Sequence, residues 1–388
     1  MRPVFECAQC GHCCHGVATV SLTPEEQTRV AEFLGLTKEE LFQKYLIYNG
    51  NRVEMKIVDG HCIFYGKDNL CKIHPVKPFH CRRWPLHPSI LNDENAWLAI
   101  KADCPGFRKD ATYEEVVTLI CSRSFLNVTC PFDLLVEQYL DTVLESRLNL
   151  EIGLNGGILD KFSVQDFERV NDILKKNDLK VTIHGPFTDL PLGSVNSSIR
   201  EAVVNILKKA IDITRIFGSK TMVIHTGFDP KHHGEYEKAW GERAKESLFE
   251  LIDHANQKAP NVKLLIENTF EYDPRLHEDI FAAFAQEAVG FCFDLAHQVV
   301  FSKCSMDEWL SSCGDRLMEL HLHDNHGKSD EHLAVGRGRL DFDSLFKWLK
   351  EHKKLPILTI EAHNEDAVMP AIRAVSNLLK KYLNTSLK

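Results

Sequence analysis

The sequence predicts an α/β protein in which a C-terminal (β/α)8 barrel follows a small cysteine-rich, metal-binding domain. Three observations carry this. From Phe125 onward, short apolar runs alternate with amphipathic stretches, and eight of the runs fit strands. Six of the eight carry histidine, aspartate or glutamate at or one residue before their C-terminal end, as in a barrel whose chemistry gathers at the C-terminal ends of its strands. Eight of the 13 cysteines lie before residue 105.

A chain of 388 residues is longer than one hydrophobic core comfortably serves, so two domains are expected, 1–110 and 111–388. With 44% hydrophobic and 26% charged residues, neither disorder nor a membrane protein is indicated. No apolar run reaches the length of a membrane span, and MRPVFECAQCGHCC has no apolar signal core before its cysteines. A cytoplasmic protein without a membrane partner is therefore expected. Residues 1–110 carry 14 basic against 13 acidic side chains, so the net charge of −9 arises in the remainder, where the balance is −10. That is a poor electrostatic footprint for nucleic acid, although bound divalent cations would offset it locally.

The first domain opens on Cys7-x-x-Cys10-x-x-Cys13-Cys14. Thiolates with two residues between them can wrap one metal or iron–sulfur cluster, whereas adjacent Cys13 and Cys14 do not easily serve one centre. Thr23-Pro24-Glu25-Glu26 and Thr37-Lys38-Glu39-Glu40 fit capping boxes and start two scaffold helices. Thiols return at Cys62, Cys71, Cys81 and Cys104, with His74 nearby in Cys-Lys-Ile-His-Pro. In a chain without a secretory signal such a cluster reads as metal or redox chemistry rather than a disulfide framework. The set Cys-x-x-Cys-x-x-Cys-Cys, Cys-Lys-Ile-His-Pro, Pro-Phe-His-Cys-Arg and Cys-Pro-Gly resembles the cysteine-cluster family of candidate zinc- or iron-chelating domains over about the first 110 residues. The resemblance implies that Cys7, Cys10, Cys13, Cys14, Cys62, Cys71, Cys81 and Cys104 bind zinc or iron, an iron–sulfur cluster included.

Thr112-Tyr113-Glu114-Glu115 opens a connecting helix. The strand runs are 125–130, 148–154, 180–185, 220–225, 262–267, 290–294, 317–323 and 356–361, with helical patterns such as Ile199 to Phe217 and Ala239 to Lys258 between them. Eight such units in about 260 residues suit a (β/α)8 barrel. A doubly wound open sheet is the alternative.

The stretch from Met318 to Phe342 organises this half. Its strand alternates Glu319, His321 and His323 with Met318, Leu320 and Leu322, and it runs into a polar segment holding Asp330 and His332. Imidazole nitrogens and carboxylate oxygens at this spacing suit a divalent metal, and Gly336 and Gly338 let the loop fold back. Other strand ends supply His184, His225, Glu267, Asp294 and Glu361, and His297 follows Asp294 by three residues.

Residues from about 124 resemble the xylose-isomerase-like barrel superfamily, which includes endonuclease IV and sugar-phosphate isomerases and epimerases. Matched to endonuclease IV, the three-zinc positions fall on His184, His225, Glu267, Asp294, His297, His321, Asp330, His332 and Glu361, with His321 preferred to His323. The chain departs at Asp294-Leu295-Ala296-His297, at His323 in place of asparagine, and at Ile183-His184-Gly185-Pro186-Phe187, which lies at the rim that would meet DNA. The epimerase and isomerase branch implies a one-metal site on Glu267, Asp294, His321 and Glu361, with Glu267 and Glu361 as the catalytic acid/base pair. Glu151 supplies either a substrate hydrogen bond or a buried structural carboxylate.

The leading expectation is a sugar or sugar-phosphate isomerase or epimerase using zinc, manganese or iron on a small-molecule substrate. An endonuclease IV-like zinc phosphoesterase, for which alone nucleic acid is a partner, is the first alternative, and a non-catalytic metal carrier or sensor is the second.

Overall fold

The computed structural model describes residues 4–16 and 20–382. They form two compact units that divide between Ile120 and Cys121.

In the first unit, helices Pro24–Leu34 and Lys38–Tyr45 begin where the capping boxes mark them. The amides of Thr23 and Thr37 each donate at 2.9 Å to the glutamate three residues on, and each threonine hydroxyl accepts from that glutamate's amide in return. Leu22, Val30, Leu41, Leu46, Phe64 and Ile73 form the core, and Cys62, Cys71 and Cys81 pack against it. Helix Tyr113–Ser124 follows Thr112, whose amide donates to Glu115 at 2.8 Å.

The second unit is the barrel. Its strands are β1 (Leu126–Pro131), β2 (Asn149–Gly153), β3 (Val181–His184), β4 (Thr221–His225), β5 (Lys263–Glu267), β6 (Val289–Asp294), β7 (Leu317–Leu322) and β8 (Ile357–Ile360). They close in the order β6-β7-β8-β1-β2-β3-β4-β5, every neighbouring pair parallel, so the open sheet is excluded. One boundary differs in a way that matters. β7 stops at Leu322 and His323 opens the following loop, because the backbone of Asp324 pairs with Leu333 instead of a barrel neighbour (2.8 Å in both directions).

The outer helices follow from their apolar faces. Ser197–Phe217 buries Val203, Val204, Leu207, Ile211 and Phe217, each contributing about 1.5–3 kcal/mol by leaving water, and it ends on Gly218 at φ 67°. The barrel interior is asymmetric. Val223, Leu265 and Cys292 pack together on the β4–β6 side, whereas Asn127, Glu151, Thr182, Glu319 and Thr359 are buried on the remaining strands. Asn127 Nδ2 donates to Thr182 Oγ1 at 3.0 Å, bridging two strands that are not neighbours. Among the described residues no helix is long and apolar enough to cross a membrane.

Candidate metal centre

The parallel register carries the strand ends to one mouth. His184, His225, Glu267 and Asp294 are the last residues of β3, β4, β5 and β6, His321 is next to last in β7, and Glu361 directly follows β8. Register sets His225 beside Glu267 and Asp294 beside His321.

Three donor groups take up all nine expected residues, beside further sets such as Glu267, Cys292 and His321. His184, His225 and Glu267 form the first, Glu267, Asp294, His321 and Glu361 the second, and His297, His323, Asp330 and His332 the third. Within each group the ligand atoms lie within 4.8 Å of one another. Glu267 joins the first two: its Oε2 is 3.3 Å from His184 Nε2, 3.0 Å from His225 Nε2 and 3.4 Å from His321 Nδ1. Its Oε1 is 3.0 Å from His297 Nδ1, reaching toward the third. Asp330 Oδ2 lies 3.2 Å from His297 Nε2 and 3.0 Å from His332 Nε2.

All nine barrel residues expected as ligands thus converge. The preference of His321 over His323 dissolves, since both are present: His321 belongs to the second group, while His323 Nε2 is 2.8 Å from Asp294 Oδ2 and 3.6 Å separates its Nδ1 from Asp330 Oδ1. The alternation Leu-His-Leu-His could have signalled the pair. The sequence reading also misses His363. Its ring stacks on His332 at 3.5 Å, and with Glu361 the two imidazoles form a further donor set.

The loop after β7 is organised by Asp324, which is buried. Its Oδ2 accepts from the amides of Gly336 and Gly338, both at 2.9 Å, and its Oδ1 from Asn325 at 2.9 Å and Leu340 at 3.2 Å. Gly338 is required here, because a Cβ would fall 2.3 Å from both Asp324 Oδ1 and Asn325 O. His332 takes φ 49° in the same loop. The ends of β5 and β6 are tied by Asn268, whose side chain accepts from the Asp294 amide and donates to its carbonyl, both at 2.8 Å.

Electrostatics follow from crowding imidazoles against carboxylates in a largely buried site. Burial by itself would push Glu267 up, but His321, His225 and His184 together hold it well below the usual carboxylate range. Burial likewise pushes on Glu361, and there His321 prevails and holds the carboxyl low. Asp330, despite burial, is held low by His297 and His332. Burial lowers an imidazole, yet Glu267 and Glu151 raise His184 to about 9, Cys292 with Glu267, Glu151 and Glu361 raises His321 well above its ordinary value, and Asp294, Asp330 and Glu267 do the same for His297. His225 is instead lowered, burial prevailing over Glu267. Deeper in the barrel, burial and the nearby Glu151 push Glu319 up to about 8.

These side chains fit metal ions. Glu267 Oε1, His321 Nδ1, His323 Nδ1, Asp330 Oδ1 and Glu361 Oε2 are buried and make no hydrogen bond, which is costly for structural polar groups and ordinary for ligand atoms. Phe187 stands at the rim, 38% exposed, stacked on the His225 ring at 4.6 Å.

In the first unit Cys7, Cys10, Cys13, Cys14, Cys71 and Cys104 line one concavity with His74 and Lys77. Cys62 and Cys81 do not line it but are close enough to Cys13 and Cys71 for their charges to interact. Adjacent Cys13 and Cys14 both line this concavity. Gly11, at φ 74°, leads into the single turn His12–Cys14, and a Cβ on it would lie 2.5 Å from the Tyr65 ring. Hydrogen bonding with Cys14 lowers Cys13 to about 6 and Cys71 to about 7, while Cys14 itself is pushed far up. Lys77 Nζ is 3.9 Å from Cys7 Sγ. Low thiol pKa values beside a lysine are those of metal-ligating or reactive cysteines.

Comparison with known proteins places both halves. Residues 6–105 match the CxxCxxCC family, a candidate zinc- or iron-chelating domain. An uncharacterised Methanocaldococcus jannaschii protein, MJ1614, is 26% identical over 243 residues, covering 61% of this chain and 91% of the relative. A solved structure of a D-tagatose 3-epimerase-like protein superposes with a TM-score of 0.56 at 23% identity, over 67% of this chain and 97% of that one, a likeness of fold. A Thermus thermophilus protein, TTHB071, solved after soaking with zinc chloride, gives a TM-score of 0.55 at 25% identity, over 65% of this chain and 96% of its own. Residues 150–382, more than half of the chain, match the family described as a xylose isomerase-like TIM barrel, and the chain belongs to that family.

Proposed function

We propose that the barrel is a multinuclear divalent-metal enzyme that hydrolyses a phosphoester bond in a small substrate. The observation that carries this reading is the third donor group. His297, His323, Asp330 and His332 are complete without borrowing a ligand from the Glu267, Asp294, His321 and Glu361 set, and a one-metal isomerase has no use for them. Imidazole with carboxylate oxygen favours zinc, with manganese or iron next. When bound, such ions supply Lewis-acid stabilisation of charge on both the attacking and the leaving oxygens.

The chain's own residues do the rest. Glu267, between His225 and His321, holds the first two ligand sets at fixed separation, and Asp330 ties His297 to His332 within the third. Buried and depressed in pKa, Glu267 and Glu361 stay ionised and offer negative oxygens at neutral pH. Phe187 at the rim and the acidic balance beyond residue 110 favour a small substrate over a nucleic acid. A second reading, sugar or sugar-phosphate isomerisation or epimerisation, is favoured by the second donor group. There Glu267 and Glu361 approach the same His321 nitrogen, at 3.4 and 3.2 Å, and a carboxylate pair so placed can take and return a proton on adjacent carbons.

The two readings part at Asp330 and His332. The full chain, loaded with zinc or manganese, is assayed on phosphodiester and phosphomonoester reporters and on a panel of ketoses and their phosphates, with metal counted by elemental analysis. The double variant D330A/H332A is expected to lose about one metal equivalent and about 10²-fold or more of phosphoester cleavage, with Glu361→Ala as an equally severe control. Ketose turnover that survives the double substitution, with one ion still bound, would transfer the assignment to the isomerase.

A further inference from the structure

Glu151 on β2 and Glu319 on β7 are fully buried inside the barrel and stand outside the three donor groups. Their place becomes clear from how the site imidazoles are aimed. Nδ1 of His184 lies 2.8 Å from Gly185 O, Nδ1 of His297 3.1 Å from Asn268 O, and Nδ1 of His332 3.3 Å from Glu361 O. A neutral imidazole has one N–H and one lone pair, so a backbone carbonyl that takes the N–H leaves the other nitrogen to the site. In these three rings the other nitrogen is Nε2, facing Glu267 at 3.3 Å or Asp330 at 3.2 and 3.0 Å, and in His297 alone Nδ1 also lies beside a carboxylate, 3.0 Å from Glu267 Oε1.

His321 is turned the other way. Its Nδ1 faces Glu361 and Glu267, and its Nε2 points down the barrel to Glu151 Oε2 at 3.4 Å. The ring is buried, with Cys292 alongside, and the contact that could take its second nitrogen's proton is a side chain rather than a carbonyl. Glu151 is anchored for this. Thr129 Oγ1 donates to its Oε1 at 3.1 Å, leaving Oε2, which makes no hydrogen bond, aimed at the imidazole. Behind it, Glu319 is anchored by Thr359 Oγ1 at 2.5 Å.

We propose that Glu151 is a positioning residue that takes the Nε2–H of His321 and thereby presents Nδ1 as the metal ligand, with Glu319 packed behind it as support. The inference rests on the metal-centre reading. A carboxylate that only filled the barrel interior would affect stability and leave metal affinity alone.

The test uses the full chain stripped of metal and titrated with manganese, which binds thiolates poorly and so reports the barrel. Binding is followed by electron paramagnetic resonance and thermal stability is measured in parallel. Glu151→Gln keeps an uncharged acceptor, and Glu151→Leu keeps the volume without one. Affinity of the tightest site is expected to fall about 10-fold in E151Q and about 100-fold in E151L, the range found when partners of metal-ligating histidines are removed. In the zinc-loaded protein, ¹⁵N-imidazole spectra are expected to show His321 bound through Nδ1 in wild type and divided between its nitrogens in E151L. Wild-type affinity in both variants, or an unchanged ring tautomer, would overturn the proposal, and E151Q decides alone should E151L fail to fold. A wild-type barrel that binds no manganese or zinc would instead overturn the metal-centre reading on which it rests.

Discussion

Glu267 is the residue on which the site converges, with four imidazoles around one buried carboxylate. Its position was legible, because a strand that reads Lys-Leu-Leu-Ile-Glu shows where its polar end lies. Its sharing between donor groups was not, since that depends on strands far apart in sequence arriving at one point. Glu319 shows the opposite case, a carboxylate whose alternation with His321 was visible but whose protonation is decided by burial. Raised to about 8, it holds a proton in the folded state that the unfolded chain releases near the ordinary carboxylate pKa. The folded state therefore binds more protons across that interval, and by linkage this contribution to stability is full below it and lost as pH rises through about 8. In chelator-treated protein, the urea midpoint should fall between about pH 5.5 and 8.0, and Glu319→Gln should flatten that fall. An identical pH slope in the variant would mean that the proton resides elsewhere.

Among the elements, the loop from His323 to Asp341 shows most plainly how local sequence serves the site. Two glycines foretold that it folds back, but the reason lies in Asp324, whose carboxylate gathers four backbone amides. Nothing about an aspartate in a polar run distinguishes such a hub from a solvated side chain. Gly338→Ala puts a Cβ against Asp324 Oδ1 and Asn325 O at 2.3 Å, where the backbone must move. The variant should lose about 1–3 kcal/mol of stability, as overpacked sites do. It should also weaken metal binding at the His297, His323, Asp330 and His332 group while sparing the Glu267, Asp294, His321 and Glu361 group. Denaturant unfolding together with metal counting checks both. Equal loss from the two groups would mean that the loop does not act separately.

At the scale of the whole molecule, the two units differ in how they are held together. The barrel closes around its own core, whereas the first unit gathers six thiols around one concavity with Cys62 and Cys81 close by. If those thiols bind metal, the binding free energy contributes to folding of that unit. A strong chelator in reducing buffer is expected to abolish amide-exchange protection in residues 20–110 and to leave β1 to β8 protected. Unchanged protection in the cysteine-rich unit would show that its thiols need no metal to hold their fold. The sequence by itself determined the barrel, its eight strands and the nine converging side chains, because strand alternation and chain order dictate which residues end a parallel strand and all such ends share one mouth. It also determined that the cysteines cluster. Only the tertiary structure decided that His323 and His363 join the site, that Glu267 serves two donor groups, and that Glu151 lies under His321. These are contacts across the barrel between residues distant in the chain, and distance through space is set by closure and packing, which no local pattern encodes.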